Sequence, residues 1–215
     1  GRIAAEGVVF TAVKDGKAAI VEVNSETDFV AKNEKFQTFV SNVANQILDS
    51  DAADMDAFMA EPWIDDASFT VEQELSQMVA KIGEKLSIRR FEKIVTDGCV
   101  VDYIHGGGRI GVLVEADTDV VNDEIKACLK NVAMQVAAMS PKYVSRQEVA
   151  QDYLDHEKEI LLAQIKNDPK NATKPEAILD KMAAGKLGKF YEENCLLEKE
   201  YVKDDNMKVN QYIAS

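Results

Sequence analysis

At 215 residues the chain has room for one large domain or two small ones. Its formal charge of −13, with no Lys or Arg between Phe36 and Ala80, argues against a phosphate-binding surface and so against direct nucleic-acid contact. No apolar run reaches membrane-spanning length, and Cys99, Cys128 and Cys195 lie at unrelated spacings without a CxxC pair, which excludes a disulfide framework and favours reduced thiols in a cytoplasmic protein.

Taken in chain order, residues 1–6 read as the tail of a helix ending near Gly7. Val8–Val13 reads as a strand, Lys14-Asp15-Gly16-Lys17 as a hairpin turn, and Ala18–Val23 as its return. A strand-to-helix corner follows at Asn24–Lys32, with Thr27 or Asn33 able to cap a helix from about Asn33 to Leu48. That helix carries Phe36, Phe39, Val40, Val43 and Ile47 at helical spacing. Phe29, beside Asp28 at the corner, has two readings: it opens the buried face of the helix, or it projects into a partner. Asp49–Phe69 is acidic and broken at Glu61-Pro62, with Trp63 and Ile64 expected against the core and the carboxylates forming a solvated face. Thr70-Val71-Glu72-Gln73 is a capping box for a helix carrying Leu75, Met78, Val79, Ile82 and Leu86, with Ser87 as its stop and Ile88–Val95 as a strand.

The chain then begins again. Cys99–Ile104, a glycine-rich turn, Ile110–Glu115 and a helix carrying Ile125, Cys128, Leu129, Val132 and Val136 overlay the first half at a shift of roughly 90 residues. The expected fold is therefore α+β: two tandem similar subdomains, 1–95 and 96–215, each an antiparallel sheet with helices packed on one face. Ser145-Arg146-Gln147-Glu148 reads as a second capping box, launching a helix to about Asn167 with Val149, Tyr153, His156, Ile160 and Leu161 on one side. With a returning helix behind Pro175 it makes a helical-hairpin insertion over about residues 145–193. Cys195–Leu197 and Tyr201-Val202 are expected to rejoin the sheet, and Asn206–Ala214 to form a last short helix.

The chemistry is sparse. Gly106–Gly111 satisfies GxGxxG but leads into a strand, so its glycines read as turn residues with positive φ and not as a dinucleotide cradle. His105-Gly106-Gly107-Gly108 lacks the GxSxG elbow an esterase would need, and His156 reads as a packing residue. With two histidines far apart, no metal-ligand spacing and no Walker A motif, neither a catalytic residue, a metal site nor a cofactor is expected.

Four runs in order carry a resemblance: Gly1–Val9, Asn24–Lys32 with Thr27-Asp28-Phe29-Val30-Ala31-Lys32 at its heart, Ile82–Arg90, and His105–Leu113. Together they resemble bacterial translation elongation factor Ts, the guanine nucleotide exchange factor of the GTPase elongation factor Tu. The resemblance implies a core built from such a repeat, elongation factor Tu as partner, and Thr27, Asp28, Phe29, Val30 and Lys32 as partner-binding residues. Phe29 is then a wedge, Asp28 a polar group acting near the partner's magnesium site, and Thr27 and Lys32 the corner and its rim. Val132–Ala138 resembles a family helix with Gln135 where a His often stands, so Gln135 joins the partner-binding set as a hydrogen-bonding, uncharged group. The resemblance also implies a module ahead of Gly1 and a segment after Ser215, so the sequence is expected to be a core shortened at both ends. A homodimer is left open, membrane contact is not expected, and the alternative function is a non-exchanging interaction scaffold of the same fold.

Overall fold

The computed structural model describes residues 2–215, which form two compact units, the first ending at Ala137 and the second running Ala138–Ser215. That division by compactness is a different line from the one drawn at residue 95 by the repeat.

In the first unit, β1 (Glu6–Lys14), β2 (Lys17–Ser25) and β3 (Ser87–Val95) form an antiparallel sheet in the order β1-β2-β3. The hairpin turns where expected, because Asp15 and Gly16 both take positive φ, 48° and 77°. Residues 2–5 are not helical, and Glu6 already opens β1, paired with Ser25 of β2. A bulge at Glu22/Val23 sets two β3 residues against one on β2, so Arg89 and Arg90 both reach Glu22, at 3.4 and 3.0 Å.

Helix α1 (Glu34–Asp49) starts at Asn33, whose side chain accepts from the amides of Lys35 and Phe36. Its apolar stripe lies on the sheet, burying Phe36, Phe39, Val40, Val43 and Ile47 against Val8, Val21 and Val23. The acidic connection holds a short helix, α2 (Met55–Met59), and is tacked down by buried Gln46, which donates to Pro62 O and accepts from Ile64 N. Trp63 packs on Phe39 at 5.4 Å as expected, whereas Ile64 stays exposed. Helix α3 (Val71–Ile82) has its capping box formed by Thr70 and Gln73. It ends four residues before the expected Ser87, at Gly83 with φ 80°, because only glycine takes the left-handed C-cap without strain.

A second hairpin, β4 (Cys99–His105) and β5 (Ile110–Ala116), forms a two-stranded sheet, followed by α4 (Asp123–Met139). The turn glycines have the expected positive φ: 63°, 68° and 105° at Gly106, Gly107 and Gly108. The hairpin lies close to β1, with Val9 N donating to Gly108 O at 2.8 Å. A Cβ at Gly111 would stand 2.3 Å from Val9 Cγ1 and 3.0 Å from Ile20 Cδ1. Gly111→Ala is therefore expected to destabilise the first unit by about 1–3 kcal/mol through overpacking; the midpoint of urea unfolding checks it, and an unchanged midpoint would contradict the contact.

Asp102 ties the same region together, accepting from Thr11 Oγ1 at 2.7 Å and pairing with Lys130 at 3.2 Å. Burial alone would raise its carboxyl, but the hydrogen bonds from Thr11 and Lys130 and the Lys130 charge outweigh burial and hold it below 3.8. A depressed folded value gives stability that is present above the unfolded value and is lost as pH falls through the folded one. Acidification from pH 5 to pH 3 should therefore lower the melting temperature of the wild type more than that of Asp102→Asn; parallel losses would contradict this.

In the second unit, α5 (Gln151–Asn167) and α6 (Glu176–Asn194) form the antiparallel helical hairpin, with Ile165 against Leu179 and Ala183 at one end and Val149 against Tyr191 and Cys195 at the other. The side of α5 that packs is Leu154, Leu161, Leu162 and Ile165; His156, Tyr153 and Ile160 are exposed. Ser145 does not cap α5. Residues 146–148 make a separate 3-10 turn, Glu148 takes Val144 N, and α5 opens at Ala150. Tyr201 does not join the earlier sheets: β6 (Glu200–Tyr201) pairs with β7 (Asp204–Lys208), and α7 (Val209–Ala214) follows.

Candidate partner-binding corner

β2 ends at Ser25 and α1 opens at Glu34, and the chain must pass between them from the end of the sheet. It does so through a 3-10 turn, Asp28–Lys32, which Asn33 N closes on Val30 O at 2.9 Å. Within that turn the side chains divide sharply. Val30 is 5% exposed and belongs to the core with Phe36 and Val21, whereas Phe29 is 78% exposed. Asp28 and Lys32 are also exposed. The buried face of the helix is thus opened by Val30 and Phe36, and Phe29 points a whole aromatic side chain into solvent.

The turn is held from both sides. Glu84, just past the end of α3, accepts from Thr27 N at 3.0 Å and from Thr27 Oγ1 at 2.6 Å. Glu26 accepts in return from Lys85 N at 2.9 Å. Ser25 Oγ donates to Thr27 O at 2.8 Å, and the Gln37 amide donates to Ala31 O at 2.8 Å. Hydrogen bonds that end on a carboxylate, as those of Glu84 and Glu26 do, are stronger than neutral ones. Thr27 occupies the position before the turn without capping it, because its hydroxyl is committed to Glu84. The strand pairing explains how residues 57 positions apart meet: Asn24 of β2 lies opposite Ser87 of β3, so the segments just beyond those residues leave the sheet at the same end.

The structure brings Thr27, Asp28, Phe29, Val30 and Lys32 together at one corner, but not Gln135. Gln135 is fully buried in α4, between buried Ala133 and Ala137, and among the described residues no buried side-chain nitrogen or oxygen lacks a partner. Gln135 is thus enclosed by the fold and lies apart from the exposed corner. Val30, within the corner, is buried in the core and anchors the turn. Sequence reasoning missed Glu26 and Glu84, although Glu84 stands inside the run Ile82–Arg90; the signal available was the antiparallel pairing of the strands that flank both runs.

Elsewhere, His105 is exposed at the end of β4 with Nδ1 3.0 Å from the Tyr103 hydroxyl, and His156 is exposed on α5. Among the described residues no three His, Cys, Asp or Glu side chains gather as a metal site would require, and no helix is long and apolar enough to cross a membrane.

Comparison with known proteins agrees with the four runs read from the sequence. The family model described as Elongation factor TS matches residues 26–215. An elongation factor Ts of Clostridioides difficile (strain 630) is 48% identical over 216 residues, covering 100% of this chain and 69% of that protein. One from Trichlorobacter lovleyi is 48% identical over 220 residues, covering 99% and 70%, and one from Clostridium kluyveri is 45% identical over 218 residues, covering 100% and 70%. With the family model spanning nearly the whole sequence and these relatives matching it from end to end, the chain belongs to the elongation factor Ts family.

Proposed function

We propose that this chain binds elongation factor Tu in the cytoplasm and speeds loss of its GDP, acting by protein contact and without catalytic residues or cofactor of its own. The observation that carries the reading is the exposure of Phe29 beside Asp28 on a turn whose two ends are fixed. A large apolar side chain held in solvent has no role in the fold, and aromatic residues of this kind dominate the energetics of protein interfaces. Exchange itself is a matter of linkage. A factor that binds the nucleotide-free state of its partner more tightly than the GDP-bound state weakens GDP by the same ratio. Phe29 is suited to make its contact only once the partner's nucleotide site has opened. Asp28 supplies the polar half of the contact, competing for bonds around the partner's magnesium ion or switch region, and Lys32 lies on the rim.

The test is release of labelled GDP from GDP-loaded elongation factor Tu, followed as this chain is added. The rate should rise with the chain's concentration and then saturate. A rate independent of concentration, with binding still detectable, would favour the alternative of a non-exchanging scaffold.

A further inference from the structure

We propose that Glu84 is the positioning residue of the exchange corner: it touches no partner but sets the direction in which Phe29 is presented. The proposal rests on the reading of Phe29 just given. A ring on a mobile loop must be ordered on binding, and the free energy of ordering is subtracted from affinity, whereas a ring already held in its bound direction escapes that loss. The structure supplies the means of holding it. Both Glu84 carboxylate oxygens are taken by one residue, Oε2 by Thr27 N and Oε1 by Thr27 Oγ1, which fixes Thr27 in position and in rotation. Glu26 and Lys85 close a second bond one residue away, running in the opposite direction.

Two residues after Thr27 comes Phe29, and the next side chain, Val30, is sunk in the core. Phe29 therefore sits between a polar fixed point and an apolar one. Only the apolar point belongs to the packed interior; Glu84 and Thr27 are part-buried at its margin, outside the group of residues that packs α1 and α3 on the sheet. Gly83 completes the arrangement. Its φ of 80° ends α3 and turns the chain so that Glu84 and Lys85 meet the corner. Loss of the Glu84 carboxylate should then free the corner while leaving the interior packed.

The experiment measures GDP release from GDP-loaded elongation factor Tu across a range of factor concentrations, together with the melting temperature, for the 215-residue chain and five variants. These are Glu84→Ala, Glu84→Gln, Thr27→Val, Phe29→Ala and the double variant Glu84→Ala/Phe29→Ala. Glu84→Ala is expected to lower exchange efficiency by about ten- to a hundredfold, the scale on which misplacing a contact group acts. Its melting temperature should stay within a few degrees of wild type. Glu84→Gln should recover part of the loss, since an amide oxygen still accepts one of the two bonds, and Thr27→Val should lose part of the activity.

The decisive comparison is the double variant. If Glu84 acts only through Phe29, removing it from Phe29→Ala changes exchange by less than about twofold. Wild-type exchange by Glu84→Ala would overturn the proposal. So would a further tenfold loss in the Phe29→Ala background, or a Glu84→Ala protein that is unfolded at the assay temperature, since the residue would then serve the fold and not the site. Wild-type exchange by Phe29→Ala would fail the underlying reading, an outcome distinct from failure of Glu84 alone.

Discussion

Replacing Phe29 by Ala is expected to weaken binding to nucleotide-free elongation factor Tu by about 2–4 kcal/mol, the range of hot-spot truncations. The same variant should melt within about 2 °C of wild type. Exposure sets both expectations. At 78% accessible, Phe29 contributes little burial to the folded chain, and surface replacements away from special features stay within about 0.5 kcal/mol. The turn beneath it does not depend on the ring, because Thr27, Val30 and Asn33 make the bonds and contacts that hold it. Titration calorimetry and thermal unfolding on the same preparation separate the two effects. Unchanged affinity, or affinity lost only together with the fold, would contradict the assignment.

Phe36→Ala should do the reverse. Phe36 is fully buried where α1 meets the sheet, among Val8, Val21, Val23 and Phe39. Removing a buried aromatic leaves a cavity that a close-packed interior cannot collapse, at a cost of about 3–5 kcal/mol. For a chain of this size, about 2–4 °C per kcal/mol places the melting temperature roughly 10 °C lower. Below its transition, the protein that remains folded should bind elongation factor Tu nearly as wild type does, since the corner lies at the surface. The two phenylalanines are seven residues apart and both fit one helical spacing, so the pair of variants separates contact from core directly. A melting temperature within 2 °C of wild type would contradict the placement of Phe36.

That spacing also shows where the sequence was legible and where it was not. Local signals were read correctly when one residue type dictates the geometry. Asp15-Gly16 makes its hairpin, Thr70 with Gln73 makes its cap, Asn33 caps α1, and the glycines after His105 turn with positive φ. Signals failed where a neighbour competed for the same group. Ser145 looked like a helix cap, but Glu148 bonds Val144 N and a 3-10 turn intervenes before α5. Leu86 keeps the helical spacing and points to an end of α3 at Ser87, although Gly83 carries the left-handed cap. On α5 the helical spacing runs a stripe through His156 and Ile160, which the hairpin leaves exposed, because only the partner helix decides which of two adjacent stripes is covered.

The site divides in the same way. That Asp28 and Phe29 stand at a corner followed from the strand on one side and the helix on the other. That Phe29 faces solvent did not, because a ring at position 29 could equally have begun the buried face taken by Phe36. Nor could local pattern reveal the Thr27–Glu84 bonds, which join residues 57 positions apart and exist only because β2 and β3 are antiparallel. The burial of Gln135 is equally hidden from local pattern: the alanines at 133 and 137 let the helix approach its surroundings closely enough to enclose it.

Binding at the Phe29 corner should depend on the nucleotide state of elongation factor Tu. The most direct measurement is the dissociation constant of this chain for elongation factor Tu in the nucleotide-free and the GDP-bound states, under one buffer condition. The predicted result is binding at least about tenfold tighter to the nucleotide-free state, a ratio that collapses toward one in Phe29→Ala and that reappears as the factor by which the wild-type chain weakens GDP. Equal affinity for the two states by the wild-type chain would contradict the account.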